Sequence, residues 1–572
     1  VLRSQKLREV NAQGDSLRLG TGWNIQDLAK PQVLVESVFG DSHPGSYHLD
    51  RLAEAAKIGV YEKGGKPGVF TVTDMCDGIA MAHDGMNYSL VSREIIAAMV
   101  EIHAMASPYD AMVLISSCDK SIPAHLIALA RTDMPGLHVC GGSMMPGPGY
   151  MSSEKLYECG NQVLKGEMSQ EDLLYHQNHA CPTCGACQFM GTASTMQVMS
   201  EALGMSLPGN ALMPAVTNKI TQTANRAGRQ AMELLERGIR PSHILTREAF
   251  ENAIMVHAAV SGSTNATLHL PAIARELGIS LDPKVFDEIH RKIPVLVSLK
   301  TSGKWPTELL WYAGGVPAVM MEIRDFLHLD ALTVTGKTVG ENLADLEARG
   351  FFRETTSFLV NFGLTRGDII HSVDKPYRPG GGLAVLTGSL APEGAVVKHA
   401  AVDPKMHRYV GPARPFNSEE EAVAAILDGR VKPGDVVIIR YEGPQGAGMP
   451  EMLKTTEAIY TNPGLVATTA LVTDGRFSGA SRGPCIGHVS PEAAAGGPIA
   501  LVEEGDLISI DIPNRSLEVV GVAGENKSPA EVAAVLGERR ARWQRPQDKA
   551  PKGILGLFSR LAASPMKGAY ME

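Results

Sequence analysis

Cysteine is scarce in this sequence: eight residues in 572, too few to staple so long a chain with disulfides. Long apolar runs are missing as well. Nothing approaches the ~18–20 consecutive apolar residues that span a bilayer, and the opening VLRSQKLREVNAQGDS has no apolar core of a secretory signal. A positive balance is also missing: 53 Lys and Arg stand against 62 Asp and Glu, a net charge of −9 with no basic stripe. Nucleic acid and membranes are therefore not expected partners. Repeats and low-complexity tracts are absent too. What remains is an enzyme-like, cytoplasmic chain, long enough for two structural units.

The few cysteines are placed unevenly. Three lie in CPTCGAC (Cys181, Cys184, Cys187), which suits metal or redox chemistry in a reducing compartment. On spacing alone, a redox pair, a zinc half-site and part of a ferredoxin run all stay open, although QFMG follows where a ferredoxin run would need Cys-Pro. Two others directly precede an aspartate: Cys76-Asp77 in TDMCDGIAM and Cys118-Asp119 in SSCDKSIP. Thiolates select iron–sulfur clusters, zinc or cuprous copper, whereas carboxylates suit magnesium, calcium or manganese. Neighbours in an extended segment point to opposite sides, so each Cys-Asp pair can reach a soft centre one way and a hard one the other. Cys140, Cys159 and Cys485 read as small packed residues.

Among the acids, Glu442 in RYEGP and Glu451 in GAGMPEM stand in a Gly-rich region after a strand, where a carboxylate can be held over a cation or lie on the surface. Lys120, next to Asp119, must be neutral, modified or turned away if a hard metal is near. Ser478 in TDGRFSGAS suits an exposed reactive hydroxyl or a plain helix cap, and GRFSG is not the nucleophile elbow of esterases.

Up to about residue 375, short β-type runs alternate with helical patterns. DAMVLISS reads as a buried strand, followed by a helix capped by Ser121 with Pro123 in its first turn, then the strand LHVCGG. This rhythm predicts a layered α/β domain with a parallel sheet over 1–375, with Cys118, Asp119 and Lys120 on the loop leaving a strand's carboxyl end. After the Pro/Gly-rich DKPYRPGGGLAVLTG, the runs DVVIIRY, LVATTALVTDG, DLISIDIPN and LEVVGVAG predict a mostly β unit over 376–572, barrel-like or a sandwich. The tail PKGILGLFSRLAASPMKGAYME predicts a short helix packing back.

Together, CDGIAMAHDGMNYSLVSRE, SCDKSIP, CGACQFMGTASTM, GNALMPA, VSGSTNATLHL, GGGLAVLTGSLAPEGAVVK, IRYEGPQGAGMPEM, TDGRFSGAS and GHVSPEAAAGGPIALVEEGDLISIDIPNR resemble the dihydroxy-acid and sugar-acid dehydratase family, from about residue 30 to 570. The resemblance implies a hydro-lyase with an iron–sulfur cluster beside Mg2+, in a cleft between an α/β domain and a β-barrel-like domain, in a homodimer or homotetramer. By motif match, Cys118 and Cys187 would bind the cluster, Asp77, Asp119 and Glu451 the magnesium, Lys120 would be a carbamylated ligand and Ser478 the base. Two departures stand out. Relatives with a [2Fe–2S] cluster carry Cys in an early PCNxHL motif, whereas HPGSYHL here has Gly45, which makes Cys76 the natural third ligand and favours [4Fe–4S] over [2Fe–2S]. Ala480 stands where some aldonate dehydratases have Thr. The expected substrate is a 2,3-dihydroxy acid, an aldonate such as a pentonate or gluconate by CQFMGTASTM, with 2,3-dihydroxyisovalerate as the alternative. A non-catalytic iron–sulfur redox sensor is the alternative of another class.

Overall fold

The computed structural model describes residues 2–478, 483–547, 549 and 552–572, so Ala480 lies outside the described residues. Four parallel strands, β1 (Gln32–Ser37), β2 (Lys66–Thr71), β3 (Ala111–Ser116) and β4 (Gly136–Cys140), form the first sheet in the order β2-β1-β3-β4. β1, β3 and β4 are buried along their whole length, as continuous apolar runs under two helical layers require. Helices Leu49–Glu62 and Asn218–Arg237 pack together on one side, and Ser89–Ala106 packs with Ser121–Thr132 on the other. The chain leaves β1 and β3 in opposite directions, so their carboxyl ends flank a switch point where open α/β sheets bind ligands.

Two local expectations change. Ser121 does not cap its helix but is the first helical residue, and its hydroxyl donates to Asp74 Oδ2 at 2.8 Å. The β–α alternation also stops at Cys140. From there to residue 375 the described residues form helices without another strand of the sheet, and extended stretches such as 295–299 meet their neighbours only through isolated bridges.

The second sheet has nine strands of mixed direction, ordered Glu525–Asn526, Ser516–Val522, Leu507–Asp511, Arg408–Phe416, Val436–Ile439, Ala470–Thr473, Cys485–Ser490, Gly394–Val397 and Ala384–Leu386. It curls back on itself. Thr387, just past the last strand of that order, donates to Arg515 O at 2.9 Å and accepts from Leu517 N at 3.0 Å, which joins the two sides as a barrel does. Alternate residues such as Val436, Ile438, Ala470, Val472, Ile508 and Ile510 share one core. Val437, Ile439 and Leu471 belong to another, formed with helices Glu419–Leu427 and Lys454–Tyr460.

The tail helix Gly553–Leu561 packs Leu555 and Phe558 against Leu90, Val91 and Met449, and buried Arg93 donates to the carbonyls of Gly568 and Ala569 at 2.9 and 3.0 Å. No described helix is long and apolar enough to cross a membrane.

Helices Leu49–Glu62 and Asn218–Arg237 touch backbone to backbone at two glycines. A Cβ on Gly59 would lie 2.0 Å from Asn225 O, and one on Gly228 the same distance from Ala56 O. Gly228→Ala should therefore destabilise the protein by about 3 kcal/mol, the upper part of the usual overpacking range, read as a lowered thermal midpoint. Gly160→Ala, in a helix with open space at that position, should leave the midpoint level or raise it.

Candidate active site

All four strands of the parallel sheet send their carboxyl ends to one place. The segment after β1 carries His43 and Gly45, that after β2 carries Asp74, Cys76 and Asp77, and that after β3 carries Cys118, Asp119 and Lys120. Cys187 arrives by a fourth route. Its neighbour Ala186 is stitched to the segment after β4, donating to Gly142 O at 2.9 Å and accepting from Met144 N at 2.8 Å. From the barrel, Glu451–Met452 pairs in parallel with Arg476–Phe477, and Ser478 N donates to Met452 O at 3.0 Å. Glu451 and Ser478 are thus held by one short ladder.

Asp77, Asp119 and Glu451 come together, each offering a carboxylate oxygen with all three within 4.8 Å of one another. Lys120 lies among them: its Nζ is 2.6 Å from Asp77 Oδ2, 3.5 Å from Glu451 Oε1 and 3.8 Å from Asp119 Oδ2. The side chains of Lys120 and Arg476 are wholly buried, so each charge must find its partner inside the protein. Arg476 Nη1 donates to Glu451 Oε1 at 2.8 Å, Asn265 Nδ2 donates to the same oxygen at 2.6 Å, and Ser89 Oγ donates to Asp77 Oδ2 at 2.8 Å. Burial opposes ionisation of Asp77, but the Lys120 and Arg476 charges overcome it and hold its carboxyl below the ordinary range. Burial and the Asp77 charge push the Asp119 carboxyl up to about 7. For Lys120 burial is the largest influence and lowers its pKa, but the carboxylates of Asp77, Glu451 and Asp119 together outweigh it, and its pKa lies above the usual value.

This arrangement fits a hard cation. The Lys120 ammonium already stands as a cation among three carboxylates, and buried Asp77 Oδ1 has no hydrogen-bond partner among the described residues. Oxygen-only ligands at this density suit Mg2+.

The thiols of Cys76, Cys118 and Cys187 lie close enough to act on one another, and Cys118 Sγ also lies 3.7 Å from Asp119 Oδ1. Burial raises Cys118 far above the ordinary thiol value, with the charges of Asp119, Cys76 and Cys187 adding to it. Cys187 is raised likewise by burial and by Cys76, and burial takes Cys76 to about 11. Cys184 faces Arg51 instead, and Cys181 bonds with Gln188 and Ser153. A Cβ added to Gly45 would lie 3.5 Å from Cys118 Cβ, so position 45 borders this same group. Three converging thiols, unionised until a positive centre draws off their protons, fit an iron–sulfur cluster.

Other candidates lie elsewhere. Glu442 is buried against Lys549 Nζ at 2.6 Å, and its carboxyl is pushed up to about 7 by burial. Cys140 is enclosed in the first core, Cys159 is buried, and Cys485 is half-buried against the outer barrel core. The sequence reading did not single out Ser89, Asn265 or Arg476. Each sits inside a quoted motif, but only their reach to Asp77 and Glu451 gives them a role.

Comparison with known proteins comes to the same place. The model for the dihydroxy-acid/6-phosphogluconate dehydratase N-terminal region matches residues 30–342, and the corresponding C-terminal model matches 368–569. A dihydroxy-acid dehydratase of Moorella thermoacetica is 47% identical over 97% of both chains. That of Acetivibrio thermocellus is 45% identical over 96% of both, and dihydroxy-acid dehydratase 1 of Methanosarcina acetivorans is 46% identical over 100% of both.

Removing Arg476 tests the electrostatic account. Arg476→Met leaves Glu451 buried without its bidentate-capable partner and should destabilise the metal-free protein by roughly 3–5 kcal/mol, measured by denaturant titration. Breaking the exposed Lys337–Asp345 pair should leave the same midpoint nearly unmoved.

Proposed function

We propose that this chain, which belongs to the dihydroxy-acid/6-phosphogluconate dehydratase family, removes water from 2,3-dihydroxyisovalerate to give 2-ketoisovalerate. It is a hydro-lyase acting on a dihydroxy acid. The observation that carries the reading is the meeting of Asp77 and Asp119 with Glu451, which stands on the ladder that also holds Ser478, beside a group of three thiols. The aldonate expectation drawn from CQFMGTASTM yields to the branched-chain alternative, because the relatives that cover this chain end to end carry the name dihydroxy-acid dehydratase.

In this proposal Asp77, Asp119 and Glu451 hold Mg2+, and Lys120 joins them after its amine has added CO2 to form a carbamate. That modification replaces a repelling ammonium with an anionic ligand. Cys76, Cys118 and Cys187 hold the cluster, [4Fe–4S] in preference to [2Fe–2S]. When bound, the cluster would supply Lewis acidity to the departing C3 hydroxyl and the magnesium would stabilise negative charge on the C2 side. Ser478 takes the proton from C2. The electron pair of that C–H bond forms the C2–C3 double bond as the C3–O bond breaks, the departing hydroxide takes from Ser478 the proton it gained and leaves as water, which restores the base, and the enol tautomerises to the 2-keto acid. A serine hydroxyl is too weak an acid to act this way unaided, and a nearby cation such as Arg476, two residues away, favours its alkoxide. A redox sensor would need neither the triad nor Ser478.

On anaerobically prepared protein, Ser478→Ala should lower kcat by about 10²–10⁴-fold with iron content unchanged. Retention of a tenth of kcat would move the base elsewhere. Cys76→Ser should lose iron and sulfide per chain, while Cys184→Ser should keep both. The opposite result would reassign the third ligand, and Mössbauer spectra of the wild type separate the two cluster types.

A further inference from the structure

Ser478 opens onto a cavity of about 30 Å³ whose other walls come from Ser263, Thr264, Lys398, Cys485 and His488. The cavity is tied to the triad through the chain: Thr264 precedes Asn265, which donates to Glu451, and Ser478 closes the short ladder that holds Glu451. Three of its lining residues, Ala401, Gly483 and Cys485, also line a neighbouring cleft of about 490 Å³, which gives it a way toward solvent.

Two polar groups in this wall lack a hydrogen-bond partner among the described residues. They are Lys398 Nζ and His488 Nε2, both buried. No carboxylate lines the cavity among the described residues, so nothing there balances the lysine. An unpaired buried ammonium costs several kcal/mol and is kept where a ligand supplies the missing charge. Burial, and then the Arg378 charge, lower the Lys398 amine to about 8, near enough to neutral pH that an incoming anion restores the full cation. His488 adds a second, independent sign. It holds a left-handed backbone, φ 58°, in a non-glycine residue, and such strain gathers at ligand-binding sites. Burial, together with the Arg476 charge, keeps its ring neutral, with the pKa lowered to about 3.

We propose that Lys398 is a substrate-binding residue of this site, its ammonium receiving a carboxylate oxygen of the dihydroxy acid while His488 Nε2 makes a second polar contact. This deepens the dehydratase reading and rests on it. The barrel thereby contributes substrate orientation as well as the base.

The test is calorimetry with 2-hydroxyisovalerate, which keeps the carboxylate and C2 hydroxyl but has no C3 leaving group, on metal-loaded wild type, Lys398→Met and Lys398→Arg. Kd should rise at least tenfold in Lys398→Met, and Lys398→Arg should recover most of the loss. KM for 2,3-dihydroxyisovalerate should rise in parallel, with kcat changed far less and with iron content and thermal midpoint as in wild type. Should Lys398→Met fail to fold, Lys398→Gln serves the same comparison. Unchanged Kd and KM in the folded variant, or a fall in kcat alone, would overturn the assignment. A probe that binds through Lys398 to a wild type that dehydrates no dihydroxy acid would leave the carboxylate site standing and remove the reaction.

Discussion

The site depends on one electrostatic constraint: the Lys120 ammonium, buried at the carboxyl edge of a parallel sheet, among three carboxylates from both parts of the chain. Removed from water, neither the cation nor its partners tolerate separation. Asp77 and Asp119 come from loops after β2 and β3, whereas Glu451 crosses from the barrel, so this cluster also ties the two sheets together. Arg476 reinforces the tie by reaching from the barrel to Ser89 Oγ at 3.3 Å, on the helix that follows Asp77. Affinity for a metal and cohesion between the two sheets therefore draw on the same charges.

Much of this was legible in the residues. The strands Ala111–Ser116 and Gly136–Cys140, the later β runs, the tail helix and the convergence of Asp77, Asp119, Lys120 and Glu451 follow from apolar runs, turn residues and ordered motifs. Other features were not, for identifiable reasons. Ser121 carries every mark of a helix cap, yet Asp74 offers its hydroxyl a stronger acceptor than a backbone amide has to give in return. Asn265 and Arg476 are ordinary in one dimension, because their partner Glu451 is distant along the chain and is brought near only by the fold. The substrate preference is a different case, since the names of the relatives favour the branched-chain alternative. Half of CQFMGTASTM, from Thr192 to Met196, belongs to a buried helix, where packing constrains residues as tightly as ligand contact does, so its likeness to one branch of the family carries little about what is bound.

The barrel's part shows how regular structure sets chemical precision. Glu451 and Ser478 sit on a ladder whose register pairs Glu451 with Arg476 and Met452 with Phe477. A slip of one residue would turn Glu451 away from Lys120 and displace Ser478 from its cavity together. The proposed base and the proposed ligand cannot drift apart independently.

Gly45 marks a second approach to the thiol group. A Cβ there would meet the His43 ring at 2.8 Å and Cys118 Cβ at 3.5 Å, so the loops after β1 and β2 both border the same corner of the thiol group. On the proposed assignment, a chain with cysteine at both positions 45 and 76 would hold a cluster by either one. Positions 45 and 76 are thus two places on different loops from which a third thiol can reach the same group.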